Sequence, residues 1–354
     1  MIDLKFPIYL PDATRAVVKS LDSQDLRKIK IEAVVVNTLH LAENPGLESL
    51  EKLGGVKRLM NFGGVVVSDS GGWQVFSLIH RGKTKGKITD ERVVFSIGTA
   101  KKQLFTPEES IKTQLKIGSD ILICLDDFTP PDSTYETAEK TVERTIAWAK
   151  RCKTEFDSQT TTSAKKPLLF AVIQGGWFKD LRKYCTQELI KIGFDGYGYG
   201  GYAINPKNNE LDLELSDYIV KLIPEKKLKF ALGVGRPIDI ANLWYMGWQI
   251  FDCTLPTRDA RHMRLYKFAY EPRDKEDLLN KALYEFVYIN QSKYKEDTDP
   301  LDSLCDCETC ESHSKAYLYH LFKIGDFSAY RLATIHNLRH YTRLIEYIRN
   351  IDAF

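Results

Sequence analysis

The chain has 354 residues, of which 43% are hydrophobic and 28% are charged, so it can bury the core of one large domain or of two smaller ones. No apolar run of about 18 residues occurs, and the N-terminal segment is charged and has no apolar signal core, so we expect neither a transmembrane helix nor a secretory signal. We therefore expect a cytoplasmic protein with no membrane partner. The formal net charge of +2 neither requires nor excludes a nucleic-acid partner.

Short β-branched runs alternate along the chain with longer segments of helical periodicity. The predicted strands are 6–10, 31–37, 65–69, 121–126, 168–174, 194–200, 228–234 and 249–252. The predicted helices are 47–60, 107–117, 135–156, 178–192, 211–222 and 237–246. The second helix has the clearest start, because Thr106 is a suitable N-cap, Pro107 occupies the first turn and Glu109 completes a capping box.

Strands that alternate with helices predict a parallel sheet, and this number of strands favours an α/β fold of the (β/α)8 TIM-barrel type over an open doubly wound sheet. The polar segment 157–166 is predicted to be a surface loop within the barrel. From Pro272 onward the pattern changes to charged helices around a cysteine cluster. We therefore predict a catalytic barrel over residues 1–271 and a small C-terminal zinc-binding subdomain with closing helices over residues 272–354.

Polar residues and glycines stand at the carboxyl ends of these strands, where barrel enzymes place their active sites. They are Asp69, Asp126, Asp127, Gln174, Gly200, Gly201 and Asp252. Carboxylates, an amide and a closely approaching backbone suit a planar base with several donors and acceptors, and a pair of carboxylates suits glycosidic chemistry. The alternative is that each aspartate caps the helix that follows it.

Two segments carry a family resemblance. SDSGGWQVFSL at 68–78 and FDCTLPTRDAR at 251–261 resemble the signatures of the tRNA-guanine transglycosylases. Weaker matches follow in the family's order: NTLHL at 37–41, PG at 45–46, LFTPE at 104–108, IQGG at 173–176 and LGVG at 232–235. The resemblance implies a pentosyltransferase of queuosine biosynthesis that exchanges the wobble guanine of a tRNA anticodon for a 7-deazaguanine base.

The resemblance also implies a role for each matching residue. Asp252 would attack the ribose as the nucleophile and hold the RNA covalently, and Asp69 would be the general acid/base. The residues expected to bind the substrate base are Trp73, Asp126, Gln174, Gly200, Gly201 and Leu232, with Trp73 and Leu232 stacking on its two faces. The residues expected to bind neighbouring nucleotides are Arg236, Asp239, Arg258 and Arg261, although the arginines could instead form surface ion pairs.

Three cysteines lie close together near the C-terminus, at Cys305, Cys307 and Cys310. With one histidine they offer the ligands of a closed tetrahedral zinc site, and the candidate histidines are His313, His320, His336 and His340. The resemblance selects His336. Because four protein ligands leave no position for water, the predicted Zn²⁺ is structural and not catalytic.

Phe128 and the segment 202–206 depart from the pattern of bacterial family members, in which a glutamate supports recognition of an aminomethyl group on the incoming base. We therefore expect this protein to insert a different 7-deazaguanine, or to bind the usual one differently. Alternatives to tRNA-guanine exchange are a transglycosylase that acts on DNA, a non-catalytic RNA-binding accessory subunit and a generic zinc hydrolase. Family members are usually dimers, so a homodimer is expected.

Overall fold

The structure is a computed structural model that describes residues 4–73, 76, 86–95, 103–163, 166–201, 204–205 and 210–351. Three of the segments considered above extend beyond these ranges. In the predicted loop 157–166, Ala164 and Lys165 lie outside the described residues. Gln74, Val75, Ser77 and Leu78 of the first signature lie outside the described residues, as do Tyr202, Ala203 and Pro206.

Eight parallel strands form the central sheet, and each corresponds to a strand predicted from the sequence. They are β1 (Ile8–Pro11), β2 (Ala33–Val36), β3 (Val65–Ser68), β7 (Ile121–Ile123), β8 (Leu168–Ile173), β9 (Gly196–Tyr199), β12 (Leu228–Ala231) and β13 (Ile250–Cys253). Their order in space is β1-β13-β12-β9-β8-β7-β3-β2. The Ala13 amide donates to the Val35 carbonyl at 2.7 Å and joins the two ends of the sheet. The predicted (β/α)8 barrel is thereby confirmed.

Helices follow the barrel strands and cover the outside of the sheet. In the part of the chain described, they are α1 (Ser23–Lys28), α2 (Thr38–Leu41), α3 (Leu47–Leu53), α4 (Val56–Met60), α5 (Pro107–Ile117), α6 (Tyr135–Thr160), α7 (Lys179–Ile192), α8 (Leu213–Leu222), α9 (Pro237–Met246), α10 (Leu255–Arg261), α11 (Lys275–Leu278), α12 (Glu308–Ser312), α13 (Lys315–Ile324) and α14 (Phe327–Ile351). The capping box of Thr106 and Glu109 at the start of α5 is present as predicted.

Two helix predictions need correction. The segment 47–60 is two helices, α3 and α4, because Gly54 ends the first in the left-handed conformation. The predicted loop at 157–166 is wrong over its first four residues, which continue α6. Thr160 is buried and donates to the Phe156 carbonyl at 2.7 Å, and Asp157 pairs with Lys153 one turn earlier. These contacts stabilise a last helical turn that a polar composition does not predict.

The core has two parts, one inside the barrel and one between the barrel and its helices. Because side chains alternate along a strand, each strand contributes to both parts. The buried residues inside the barrel are Ile8, Leu10, Ala33, Val67, Ile121, Ile123, Phe170, Val172, Phe230 and Ile250. This inner core fills the barrel below the site, so the site can open only at one end of the strands.

Smaller sheets lie outside the barrel. One consists of β4 (Gly86–Ile88), β5 (Val93–Phe95) and β6 (Gln103–Phe105), another pairs β10 (Ile204–Asn205) with β11 (Glu210–Leu211), and a third pairs β14 (Arg264–Phe268) with β15 (Tyr284–Tyr288). The β14–β15 sheet crosses the predicted boundary between residues 271 and 272, and that boundary stays a prediction.

Helix α14 attaches the C-terminal region to the barrel. Its buried Asn337 accepts a hydrogen bond from the Tyr266 amide at 3.1 Å and donates to the carbonyls of Pro256 and Arg264, each at 3.0 Å. One side chain thus holds α10, β14 and α14 together. Among the described residues, no helix combines the length and the apolar character needed to cross a membrane.

Candidate active site at the carboxyl ends of the barrel strands

Inward-facing polar residues cap the inner core at the carboxyl ends of the strands, the barrel mouth. Residues two apart on a strand face the same side, so each apolar residue of the inner core indicates where the residue two positions later points. Ile250 is followed in this way by Asp252, Val67 by Asp69, Val172 by Gln174 and Phe230 by Leu232. The same rule applied to β1 and β2 brings in Asp12 after Leu10 and Asn37 after Val35, which the sequence analysis did not single out.

Asp252 is the penultimate residue of β13 and is partly buried at this mouth. The Gly233 amide donates to its Oδ1 at 2.7 Å. Gly233 has a φ of +72°, a left-handed conformation that glycine adopts without strain and that turns its N–H toward the carboxylate. Burial raises the pKa of Asp252 to about 7, the Gly233 hydrogen bond opposes the shift, and the nearby charges of Asp12 and Asp69 add to it.

Asp69 follows β3 and is held by three donors. Its Oδ2 accepts from Asn37 Nδ2 at 2.7 Å, and its Oδ1 accepts from the amides of Thr38 at 3.0 Å and Gly71 at 3.1 Å. Because Asn37 is also the N-cap of α2, its amide group is itself fixed by the His40 amide at 2.9 Å. Asp69 is therefore a rigidly oriented carboxylate at the same mouth as Asp252.

Asp126 and Gln174 form a pair on the side of the mouth made by β7 and β8. Gln174 Nε2 donates to Asp126 Oδ2 at 2.6 Å, and Gln174 Oε1 accepts from the Thr129 amide at 3.2 Å. Burial raises the pKa of Asp126 to about 6, against the effect of the Gln174 hydrogen bond. Gln174 is fully buried, so in this conformation its amide orients Asp126 and does not reach the open mouth.

Gly200 permits this arrangement, since a Cβ at its position would lie 2.5 Å from Val172 Cγ1 and 2.6 Å from Gln174 Nε2.

A second residue that supports the mouth is Arg182 of α7, which the sequence analysis missed. It is fully buried and donates to the carbonyls of Gly176 at 2.9 Å, Ile173 at 2.5 Å and Gly200 at 2.8 Å. Arg182 thus ties together the turns that follow β8 and β9, which include Gly201. Its position in the first turn of α7 carries no sequence signal for this role.

Trp73 lies on an exposed rim of the mouth, with 40% of its surface accessible. Its ring contacts those of Phe128, at 4.6 Å between centroids, and Phe76, at 5.8 Å. Leu232 is partly buried after β12 and packs on the inner core. The structure therefore offers an exposed aromatic face at one side of the mouth and an apolar side chain at another, both of which suit a planar ring.

The four residues predicted to bind neighbouring nucleotides are arranged differently from one another. Arg236 binds the buried Asp239 through two hydrogen bonds, at 2.5 and 3.0 Å, so these two form a fixed pair. Arg261 donates to the Thr257 carbonyl at 2.9 Å. Arg258 has an exposed side chain that lies 4.0 Å from Asp259. Arg258 is thus the most accessible cation of this group.

The predicted cluster of Cys305, Cys307, Cys310 and His336 is assembled in the structure. All four residues are buried, and their ligand atoms lie within 4.8 Å of one another. His336 Nδ1 is 3.2 Å from the Cys310 sulfur and 3.7 Å from the Cys307 sulfur, close to the roughly 3.6–3.8 Å between ligands of a tetrahedral zinc ion. The cluster could therefore hold a metal ion.

The surroundings of His336 favour metal binding as well. Its Nε2 donates to the Tyr266 carbonyl at 2.5 Å, which directs Nδ1 at the cysteines and makes Nδ1 the nitrogen that a neutral imidazole would offer to a metal ion. The competing histidines lie elsewhere: His320 is exposed on α13, His313 stacks on Tyr317 and His340 stacks on Phe268. Of the candidates weighed from the sequence, His336 is the one that completes the cluster.

Comparisons with known proteins identify the family of the chain. A family model described as "Queuine tRNA-ribosyltransferase" matches residues 2–351. A relative of the same name from Mannheimia succiniciproducens is 39% identical over 344 residues, which cover 97% of this chain and 84% of the relative. Relatives of that name from Haemophilus influenzae, at 39% identity, and Pasteurella multocida, at 38%, also cover 97% of this chain and 84% and 83% of their own lengths.

Proposed function

Because the chain belongs to the queuine tRNA-ribosyltransferase family, and is therefore a pentosyltransferase that acts in tRNA modification, we propose that it exchanges the wobble guanine of a tRNA anticodon for a 7-deazaguanine base. The exchange would proceed by double displacement through a covalent aspartyl-ribosyl RNA intermediate. The observation that carries the proposal is the partly buried Asp252 carboxylate, oriented by the Gly233 amide and facing the same mouth as Asp69.

In the first displacement, the free oxygen of Asp252 attacks C1′ of the ribose while Oδ1 remains bound to the Gly233 amide. The bond between C1′ and guanine N9 breaks, and its electron pair leaves with the base. Asp69 donates a proton to the departing guanine. In the second displacement Asp69 takes the N9 proton of the incoming base, that nitrogen attacks C1′, and the bond to Asp252 breaks.

The pair formed by Asp126 and Gln174 suits recognition of guanine. Guanine presents two neighbouring donors, N1–H and the N2 amino group, and a carboxylate accepts from both. Gln174 fixes one oxygen of Asp126 at 2.6 Å and so sets the plane of the carboxylate. The backbone at Gly200 and Gly201 borders this site, and Trp73 and Leu232 would stack on the two faces of the base.

Contacts to the anticodon loop would come from cations next to the mouth. Arg258 is exposed on α10, the helix that follows the strand of the nucleophile, and Arg261 is the last residue of the same helix. The buried Asp239 holds the guanidinium of Arg236 in place, and Arg236 would donate from this fixed position to a flanking nucleotide. We also propose a cytoplasmic homodimer, in which a second copy supports the part of the tRNA that one barrel cannot cover.

The metal in the cluster of Cys305, Cys307, Cys310 and His336 is proposed to be a structural Zn²⁺. Three thiolates and one imidazole complete its tetrahedral shell, so the ion would link the segment 305–310 to α14 and take no part in base exchange.

The incoming base is proposed to differ from the aminomethyl-deazaguanine that bacterial relatives use. The segment 202–206 lacks the glutamate with which bacterial members support recognition of the aminomethyl group. Phe128, which packs against Trp73 and Phe76 at 4.6 and 4.5 Å between centroids, stands where those members have a small residue. Competition of candidate 7-deazaguanines against radiolabelled guanine tests this proposal. Efficient use of the aminomethyl base would refute it.

Incorporation of radiolabelled guanine into tRNA tests the main proposal. The parent protein should label a tRNA with guanosine at the wobble position and leave one with adenosine there unlabelled, whereas Asp252→Asn should label neither. Labelling of DNA in preference to tRNA would favour the DNA-modifying alternative. No labelling of either polymer by the parent protein would favour a non-catalytic RNA-binding accessory subunit.

A further inference from the structure

Asp12 is a carboxylate at the barrel mouth to which the mechanism above assigns no role. It follows Ile8 and Leu10 on the inward-facing side of β1, and both of these belong to the inner core. The register of the sheet pairs Leu10 with Asp252 on the adjacent strand. Asp12 therefore points into the mouth one pleat above the nucleophile, and its charge contributes to the raised pKa of Asp252.

The position of Asp12 is fixed by its neighbours in the chain. The Thr14 amide and the Thr14 hydroxyl both donate to its Oδ1, at 3.0 and 2.5 Å, and the Ala13 amide bonds the Val35 carbonyl where the barrel closes. Within the described ranges, its Oδ2 accepts no hydrogen bond and no lysine or arginine forms an ion pair with it. One oxygen of a rigidly held carboxylate is thus available to a ligand.

Asp12 adds a like charge near Asp252, and this charge contributes to the raised pKa of Asp252. Carboxylates gathered in a cleft in this way are candidates for binding or catalysis. Asp69 is less available for a further ligand, since Asn37, Thr38 and Gly71 already donate to its two oxygens.

We propose that Asp12 accepts a hydrogen bond from the 2′-hydroxyl of the ribose that Asp252 attacks, and that this contact makes the site select RNA over DNA. The inference rests on the proposed function. Within a polynucleotide the 3′ and 5′ oxygens of the sugar are esterified, so the 2′-hydroxyl is the free donor, and its carbon adjoins C1′. A hydroxyl next to a sugar carbon that is gaining positive charge becomes a stronger donor, so the contact strengthens in the transition state.

The experiment measures guanine exchange on two anticodon stem-loops that differ at one atom, with ribose or 2′-deoxyribose at the exchanged nucleotide. The parent protein should prefer the ribose substrate in kcat/KM by roughly 10- to 100-fold, the effect of one hydrogen bond to a charged acceptor. The kcat/KM of Asp12→Ala should fall by that factor on the ribose substrate and change little on the deoxy substrate. The preference for ribose should therefore fall at least tenfold.

Asp12→Asn, which keeps the shape and the bonds from Thr14 to Oδ1, covers the case in which Asp12→Ala does not fold. In this variant the atom at the Oδ2 position of residue 12 is an amide donor or a neutral acceptor and no longer a charged acceptor. The preference of Asp12→Asn for the ribose substrate should therefore also fall at least tenfold. Thr14→Val, which leaves the Asp12 carboxylate intact and removes one donor to Oδ1, is the matched control and should keep most of the preference.

A preference that falls less than tenfold in the folded Asp12 variants overturns the inference, and leaves the proposed function standing if the parent protein exchanges guanine. The same holds if both substrates lose activity equally, because Asp12 would then act on Asp252 alone. A parent protein that exchanges guanine in neither stem-loop would instead contradict the proposed function.

Discussion

Asp252→Asn should make the protein more stable at pH 8 while it abolishes base exchange. Burial raises the pKa of Asp252 to about 7 in the folded protein, against about 3.9 for an aspartate in an unfolded chain. The difference of about 3 units corresponds to at most about 4 kcal/mol of folding free energy. Asp252 is partly exposed, and solvent screening reduces the expected gain to about 2 kcal/mol.

The stability advantage of Asp252→Asn over the parent protein should grow as the pH rises. Above about pH 3.9 the unfolded chain ionises Asp252 while the folded protein keeps it protonated, so stability is lost as the pH rises toward about 7 and is constant above it. Asparagine does not titrate. The advantage of the variant should therefore be about half developed at pH 5.5 and complete at pH 8.

Equilibrium urea unfolding of both proteins at pH 5.5 and pH 8 measures this difference. The control is Asp132→Asn at an exposed position, which should change the unfolding free energy by less than about 0.5 kcal/mol at either pH. An Asp252→Asn variant that is less stable than the parent at pH 8, or whose advantage is the same at both pH values, would refute the reasoning.

Three further predictions concern activity, metal and packing. The kcat/KM for guanine exchange should fall about tenfold per pH unit below about 7, where Asp252 becomes protonated, and a flat profile down to pH 5 would contradict this. His336→Ala should lose the bound zinc and several degrees of melting temperature, whereas the exposed His320→Ala should retain both, as elemental analysis and calorimetry would show. Gly200→Ala should raise the KM for guanine at least about tenfold, because the added Cβ would lie 2.6 Å from Gln174 Nε2. The control Gly63→Ala should leave this KM unchanged, because a Cβ there would have no atom within 4 Å. Equal KM values for the two variants would contradict the packing argument.

The barrel was predictable because its strands have a strong local signature. Buried parallel strands such as β3 and β8 are runs of β-branched and aliphatic residues, and the alternation with helices fixes their parallel arrangement. The small sheets were not predictable. β4 to β6 are three residues each, which is too short for an alternating pattern to be recognised. β15 has one buried residue among exposed and partly exposed ones, so its own sequence does not predict a strand, and its pairing with β14 is what makes it one.

The residues of the mouth were predictable where a polar side chain directly ends an apolar run, as at Asp69 and Asp252. Asp12 was missed because Pro11 lies between it and the apolar run, although the alternation through Ile8 and Leu10 would have found it. Arg182 could not have been found in this way. Its three carbonyl partners lie on two different turns, and their convergence exists in the folded chain alone.

The central claim is that Asp252 forms a covalent bond to the ribose of the RNA. Denaturing gel electrophoresis of the protein mixed with an anticodon stem-loop and a base analogue that stalls the second displacement tests it most directly. The parent protein should give a band of protein joined to RNA that forms with the ribose stem-loop and is lost in Asp252→Ala. A band that persists in Asp252→Ala, or one that forms with the DNA stem-loop and not with RNA, would contradict the account.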